Sequence, residues 1–440
     1  MSDRETWTTR LGFILASVGS AVGLGNIWRF PFQTATNGGA AFLFVYLVAV
    51  VVIGLPAILA EFVVGRRAEM DAIGAFDELG HPGWRAVGAL GVFAGFWTLS
   101  YYSVVGGWVI RYIGQAAMGS YGSNPKVFFG NVSAGPEAVA LHALFMLLAV
   151  GIVAFGIEGG IERATKVMVP AIILILVGLV GYGASLSGAG EAYDYFLTPD
   201  FGVIVANAPS VIPAAVGQAL FSLSLGFAVM ITYASYIDGD ESLPVDGLSI
   251  AVTNTAIGIL AGLVVFPLLF TQGVGPDTSG PGAVFIALPT ALADFGAAGR
   301  VVGVAFFVVI LIAALSSAIS LLEVAVSYLV DTHGFERKRT TAVLGVLLFL
   351  LGIPSAWDTA WLSWFDSIAV NLLLPVAVLL LVLFVGWVLA PDAVDELRIG
   401  SGDSFDDLAP LWLWSLRTVV LLAVLVTVAL SVTDLTGAPV

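Results

Sequence analysis

The sequence predicts an all-α integral membrane protein of eleven spans, two of them interrupted midway. Three observations lead there. The first is composition: of 440 residues, 59% are hydrophobic and only 11% charged, against about 25% charged in a soluble domain. With a mean hydropathy of +1.01, there are too few polar residues to cover a globule in water, so most of the surface must face lipid. The second is the regular spacing of long apolar runs, and the third is the pair of runs broken by glycine and polar residues.

Crossing the hydrocarbon takes roughly 20 apolar residues. Such runs fall at 10–36, 40–66, 84–118, 137–156, 163–186, 210–237, 246–272, 300–331, 340–356, 361–390 and 410–434. The charged start, MSDRETWTTR, leads into the first run with no small-residue cleavage site, so that run reads as a retained span. With the N-terminus inside, the cytoplasmic loops collect Arg4, Arg10, Arg66, Arg67, Arg85, Arg163, Lys166, Arg337, Lys338, Arg339, Arg398 and Arg417. Only Arg111, Lys126 and Arg300 fall outside. The positive-inside bias therefore predicts a multi-pass protein of the cell membrane, N-terminus cytoplasmic and, after eleven spans, C-terminus extracellular. Between spans, 187–209 and 273–299 are long enough to cap the outer face, and SGPGAVFIALPTAL within the second reads as a re-entrant lid.

Composition also narrows the chemistry. The chain has no cysteine, which excludes disulfides and thiolate metal sites. Its three histidines, His81, His142 and His333, stand away from the interrupted runs. No nucleophile–base pair is evident, so an enzyme is not expected. A net charge of −15 argues against a nucleic-acid partner; an acidic surface with three lysines suits a high-salt cytoplasm. The expected partners are membrane lipid and a small-molecule substrate. Oligomeric state is not legible.

The first interruption is SAVGLGNIWRFPF, residues 20–32. Gly19, Gly23 and Gly25 alone could be a small-residue packing face. Asn26, Arg29 and Pro31 within the next few positions change the reading. An ionisable group inside a span marks an interior site or pathway, and irregular backbone at that depth is tolerated only against a cavity or protein. The second interruption lies in span 6, where Gln218, Ser222 and Ser224 lead to Gly226 within an apolar run. Spans 1 and 6 open two five-helix halves, 10–186 and 210–390, with 410–434 as an additional helix. Interrupted helices at matching positions of two halves point to a transport site near the midplane. The freed N–H groups attract a carboxylate; the freed carbonyls suit a hard cation.

These same residues resemble the neurotransmitter:sodium symporter family. The opening RETWTTRLGFILASVGSAVGLGNIWRFPFQTATNGGAAFLFVYL is similar to the family's first helices, GQALFSLSLGF to its sixth, and SGPGAVFIALP to its extracellular lid. The likeness runs from about residue 4 to 390. It implies the LeuT-type 5+5 inverted-topology repeat with helices 1 and 6 unwound at the midplane. It also implies an archaeal or bacterial amino-acid transporter coupled to sodium.

The resemblance further implies two sodium sites. The first would use the carbonyl of Ala21, the amides of Asn26 and Asn254, Ser222 and the substrate's own carboxylate. The second would use carbonyls of Gly19, Val22 and Ala313 with the hydroxyls of Ser316 and Ser317, although membrane serines often bond back to their own helix. For the substrate, the N–H groups of Leu24 and Gly25 and the Tyr102 hydroxyl would hold the carboxylate. Ala21, Phe221, Ser222 and Ser224 would meet the amine, and Thr98, Phe221, Phe227, Ser317 and Leu321 would line the pocket. Gly23 stands where monoamine carriers place an aspartate, so a neutral amino acid is the expected substrate.

Gates are implied at both ends: Arg29 with Asp366 and Gln218 outside, and Arg4, Trp7, Tyr236 and Asp331 inside. Glu61 is expected to satisfy unwound backbone, and Gly160 with Pro170 to mark a fifth helix that unwinds. Chloride-independent relatives carry a glutamate where this chain has Gly258. Chloride bound by Tyr46, Gln218, Ser222 and Asn254 would restore that charge; an acid elsewhere, or proton release, are the alternatives. The competing functions are a non-transporting amino-acid sensor on this fold and a proton-coupled amino-acid transporter.

Overall fold

A computed structural model describes residues 5–119, 124–237, 239–271, 273, 283–402 and 407–436. Among the described residues, ten helices are long and apolar enough to cross a membrane, and the bent pair Arg10–Ala21 and Gly25–Thr36 makes an eleventh span. The others are Ala40–Ala68, Pro82–Met118, Pro136–Val153, Ile157–Ala184, Phe201–Ser222, Leu243–Thr271, Gly296–Thr332, Arg337–Trp357, Thr359–Val388 and Leu408–Leu430. They are called spans 1 to 11 in chain order.

Local chemistry sets the helix starts. The Thr9 hydroxyl accepts from the backbone N–H of Gly12 and caps span 1, and Asp358 does the same for Ala360 at span 10. Pro82 and Pro136 open spans 3 and 4, where the missing N–H costs nothing. Span 6 departs from expectation. Its helix begins at Phe201, ahead of residue 210, and is kinked at Asn207 (φ −118°, ψ 20°) just before Pro209. A connecting helix merges into the span there, because the Pro209 ring clashes with the preceding turn and its missing N–H removes a helix bond.

Burial separates a centre from a lipid-facing rim. Span 8 is 72% buried and span 3 is 67% buried over their most apolar stretches, whereas span 11 is 17% buried. Spans 3 and 8 pack on each other more extensively than any other pair. Exposed Leu174, Val51 and Val301 face outward as a membrane protein requires.

Both expected interruptions are present. Span 1 stops at Ala21, bends by 51° and resumes in a wide π-helical turn, Gly25–Arg29. Span 6 stops at Ser222 and resumes as the short helix Val229–Ala234. Between them Ser224 (φ 54°), Gly226 (φ 82°) and Ala228 (φ 59°) take left-handed backbone, a strained choice for the serine and alanine. At Gly226 an added Cβ would also stand 2.9 Å from the Leu374 carbonyl, so glycine is required twice over.

Candidate functional site

The two breaks face each other across a small cavity. Ser20, Ala21, Gly23 and Gly25 of span 1 line it with Phe221, Ser224 and Phe227 of span 6. Thr98 and Tyr102 of span 3 and Ser317 and Leu321 of span 8 complete the wall. Its volume is about 30 Å³, room for a water or two. Among the described residues no acidic or basic side chain lines it. At Gly23 an added Cβ would stand 2.4 Å from Ser317 Oγ and 2.8 Å from the Tyr102 hydroxyl. Any side chain there, an aspartate included, collides with both.

Hydroxyl groups occupy the freed backbone on span 1. The Leu24 N–H donates to the Tyr102 oxygen at 3.1 Å. The carbonyl of Ser20 accepts from both Ser224 Oγ and Ser317 Oγ, each at 2.9 Å. Ser316 Oγ donates to Ala313 O at 2.9 Å and lies 3.3 Å from Val22 O. Gly19 packs against Ser316, since a Cβ added there would sit 3.5 Å from the serine's own Cβ. Gly19, Val22, Ala313 and Ser316 are thus brought together, with Ser317 turned to the neighbouring carbonyl.

On the other side of the break, the Asn26 amide donates to Asn254 at 2.8 Å (Oδ1) and 3.0 Å (backbone O). The Tyr46 hydroxyl pairs with Ser222 Oγ at 3.1 Å, and Gln218 Nε2 donates to the Gly25 carbonyl at 2.9 Å. Asn26 Oδ1 and Gln218 Oε1 are buried without a hydrogen-bond partner among the described residues. Buried polar atoms normally find one, which marks both as candidate ligand atoms. A Cβ at Gly258 would meet only Phe30 at 3.5 Å and Asn26 Nδ2 at 3.8 Å, ordinary contact distances.

The freed backbone of span 6 is held differently. Glu61, buried on span 2, accepts from the Gly226 N–H at 2.8 Å.

Towards the face opposite the N-terminus a second cavity opens, about 240 Å³ in volume. Phe221 and Tyr102 line both cavities, so the Phe221 ring stands between them. Arg29 and Asp366 both line the upper one, yet no ion pair joins them. The Arg29 guanidinium lies 4.8 Å from the centre of the Phe221 ring, and Asp366 accepts from the Tyr101 hydroxyl at 3.0 Å. Gln218 turns to Gly25 instead of Arg29.

The face bearing the N-terminus is closed. Trp7 is buried against Tyr233, its Nε1 donating to the Tyr233 carbonyl at 2.9 Å and its backbone N–H to Tyr236 O at 3.2 Å. The Tyr236 hydroxyl donates to Glu323 at 3.1 Å, and Arg337 grips that carboxylate at 2.7 and 2.8 Å. Glu162, at the start of span 5, accepts from the Thr8 N–H at 2.9 Å and from Lys166 at 2.6 Å. Asp331 lies in the last turn of span 8. Arg4 falls outside the described residues, as do residues 274–282 of the expected lid.

Comparison with known proteins decides what this arrangement belongs to. The profile described as the sodium:neurotransmitter symporter family matches residues 4–121 and 133–437. The chain belongs to that family. A sodium-dependent transporter of Bacillus subtilis, YhdH, is 36% identical over 440 residues, covering 96% of each chain. Another from Methanocaldococcus jannaschii, MJ1319, is 36% identical over 417 residues, 90% of this chain and 84% of its own. The solved structure of MhsT in complex with L-phenylalanine is 41% identical and superposes with a TM-score of 0.87, covering 97% of this chain and 99% of that one. The chain is therefore a sodium-dependent, multi-pass transporter with the LeuT-type fold, and not an enzyme.

Some residues of this symporter's site had no sequence signal. Ser20 contributes a main-chain carbonyl, which its side chain cannot announce. Tyr101, which holds Asp366, was hidden beside Tyr102. Glu323 and Arg337 did carry a signal: a carboxylate deep in the apolar stretch IAALSSAISLLE needs a cation.

Proposed function

We propose that this symporter imports a neutral amino acid with sodium by alternating access, working from the inverted halves 10–186 and 210–390 with the N-terminus in the cytoplasm. One observation carries the proposal: both broken spans open onto a single cavity with no charged side chain in its wall. A zwitterion fits such a place. Its carboxylate would take the N–H groups of Leu24 and Gly25 and the Tyr102 hydroxyl. Its amine would take carbonyls at Ala21, Phe221 and Ser222 and the hydroxyl of Ser224. A side chain with net charge would find no partner. The L-phenylalanine bound by MhsT and a bovine relative described as a neutral amino acid transporter, 28% identical over 299 residues, support the same substrate class.

Two sodium ions fit the oxygen sets. The first would sit among Ala21, Asn26, Ser222, Asn254 and the substrate carboxylate, where Asn26 Oδ1 lacks a partner. The second would sit among Gly19, Val22, Ala313, Ser316 and Ser317, drawing Ser317 away from the Ser20 carbonyl. Because the substrate carboxylate is a ligand of the first ion, each raises the other's affinity. A chloride near Tyr46, Gln218, Ser222 and Asn254 would supply the charge Gly258 lacks. With the N-terminal face closed and Arg29 apart from Asp366, the geometry corresponds to a carrier open to the outside. Substrate entering from the larger cavity must displace Phe221, after which Arg29 and Asp366 close above it. The inner gate of Trp7, Tyr236, Arg4 and Asp331 then opens.

Uptake of a panel of radiolabelled amino acids into proteoliposomes tests the reading, with and without an inward sodium gradient. Sodium-dependent accumulation of neutral amino acids is the expected result. Sodium-dependent binding without accumulation would make the chain a sensor. Accumulation driven only by a pH gradient would make it proton-coupled.

A further inference from the structure

Arg300 is the one basic residue of span 8's first turns, and it is exposed. Its guanidinium lies over Gly119, at the end of span 3; a Cβ there would come 2.0 Å from Arg300 Nε. Three other basic residues near a membrane face show the usual arrangement: Arg111 pairs with Glu137, Arg67 with Asp392, and Arg10 with Asp246. Arg300 has no such carboxylate and no hydrogen-bond acceptor among the described residues. Five N–H donors in a fixed planar fork are thus left open, in a chain whose acids outnumber its basic residues by 31 to 16.

Two hollows meet at this guanidinium. One, about 150 Å³, is bounded by Ala116, Gly119, Leu292, Gly296 and Gly299. The other is an apolar groove of about 510 Å³ running down span 8 along Val301, Val304, Ala305 and Val308, with Ala117 of span 3 on its far wall. Val301 is 71% exposed on a face that lipid must cover. A cation at the head of a lipid-facing apolar groove matches one ligand in both parts. A phosphate fits the planar fork in bidentate fashion, and an acyl chain fits the groove below it.

We propose that Arg300 and the groove between spans 3 and 8 form a binding site for an anionic phospholipid, on the face opposite the N-terminus. The charge complementarity selects the anionic headgroup. A zwitterionic lipid carries its own ammonium, which competes with the guanidinium for the phosphate. Elsewhere the chain's net negative charge repels anionic lipid, so the site would hold one such molecule against the general trend. Since span 8 also carries Ala313, Ser316 and Ser317 and packs on span 3, which carries Tyr102, a lipid wedged between their ends braces the scaffold behind the central cavity.

Native mass spectrometry of the full chain, titrated in detergent with dioleoyl phosphatidylglycerol, reads the site directly. The expected result is one lipid retained more tightly than the rest. Arg300→Gln should weaken it about fivefold, the effect of one basic residue near an anionic headgroup, whereas Arg111→Gln should leave it unchanged. Val304→Trp, which fills the groove and keeps the charge, should weaken it as well. Thermal unfolding of each variant verifies that it is folded. Equal retention by Arg300→Gln, or equally tight binding of dioleoyl phosphatidylcholine, would overturn the proposal. Displacement of the lipid by millimolar inorganic phosphate, with Val304→Trp unaffected, would overturn it in favour of a soluble anion.

Discussion

Spans 1 and 6 are both broken where they line one cavity, yet they satisfy their freed backbone in opposite ways. Span 1 uses neutral hydroxyls: Tyr102 receives the Leu24 N–H, and Ser224 and Ser317 share the Ser20 carbonyl. Span 6 uses one carboxylate, Glu61, on the Gly226 N–H, and three residues with positive φ. A hydroxyl hydrogen bond is worth about 1 kcal/mol net and rotates away readily, whereas a buried backbone N–H stripped of its acceptor costs about 1–3 kcal/mol. The break in span 1 is therefore built to exchange partners with a ligand. The break in span 6 is built to hold its shape.

The largest expected effect follows from that contrast. Glu61→Ala leaves the backbone N–H of Gly226 unpaired in the protein interior and should destabilise the protein by about 3 kcal/mol, measured by thermal or denaturant unfolding in detergent. Ser317→Ala should change stability by no more than about 1 kcal/mol. Equal losses in the two variants would erase the distinction between a fixed break and an exchangeable one.

Transport should rank the same two variants in reverse, once corrected for folded protein. Ser317→Ala removes an oxygen assigned to the second sodium ion and should raise the sodium concentration for half-maximal uptake about tenfold, equivalent to 1.4 kcal/mol. The substrate KM measured at saturating sodium should move far less. Should the sodium dependence stay put, Ser317 belongs to the backbone of span 1 and not to an ion.

Much of this was legible beforehand, and the reason is physical. A membrane span has a strict length and an almost uniformly apolar composition, so eleven runs could be counted and Gly, Asn, Arg and Pro inside one of them stood out. Span 6 was placed less well, because Asn207 and Pro209 mark a kink between two helices and not the end of one. The partners of main-chain atoms were not legible at all: nothing in the identity of Ser20 indicates that two serines from different spans bond to its carbonyl. Nor does sequence report distance, so Arg29 and Asp366 could be named as a gate without showing that they stand apart. Glu323 and Arg337 were readable in principle, as a buried acid and a cation 14 residues on.

Tyr102→Phe sharpens the comparison from the substrate's side. The phenol oxygen is the acceptor for Leu24 N–H in the structure and the proposed donor to a substrate carboxylate. Its loss should raise the substrate KM about fivefold, for about 1 kcal/mol of binding, with the sodium dependence nearly unchanged. A change confined to sodium would reassign Tyr102 to the ion.

The smallest effect is expected at Gly258, where the two breaks share a border. Asn26 follows the break in span 1, and Ser222 ends the first half of span 6; Asn254, one turn before Gly258, accepts from the Asn26 amide with its Oδ1 and its backbone carbonyl. If a sodium ion lies between them with no fixed carboxylate nearby, a mobile anion should help to neutralise it. Wild-type uptake should then rise a few-fold when gluconate is replaced by chloride at constant sodium. The space at Gly258 admits a Cβ, its nearest neighbours being Phe30 and Asn26 at 3.5 and 3.8 Å. Gly258→Glu would put a permanent negative charge beside Asn26, so the variant should transport equally well in both anions. Persistent chloride stimulation in Gly258→Glu would place the anion elsewhere. Chloride independence in both proteins would mean that neutral oxygens and the substrate carboxylate hold the ion unaided, making span 1's hydroxyl-rich break the whole of the sodium chemistry.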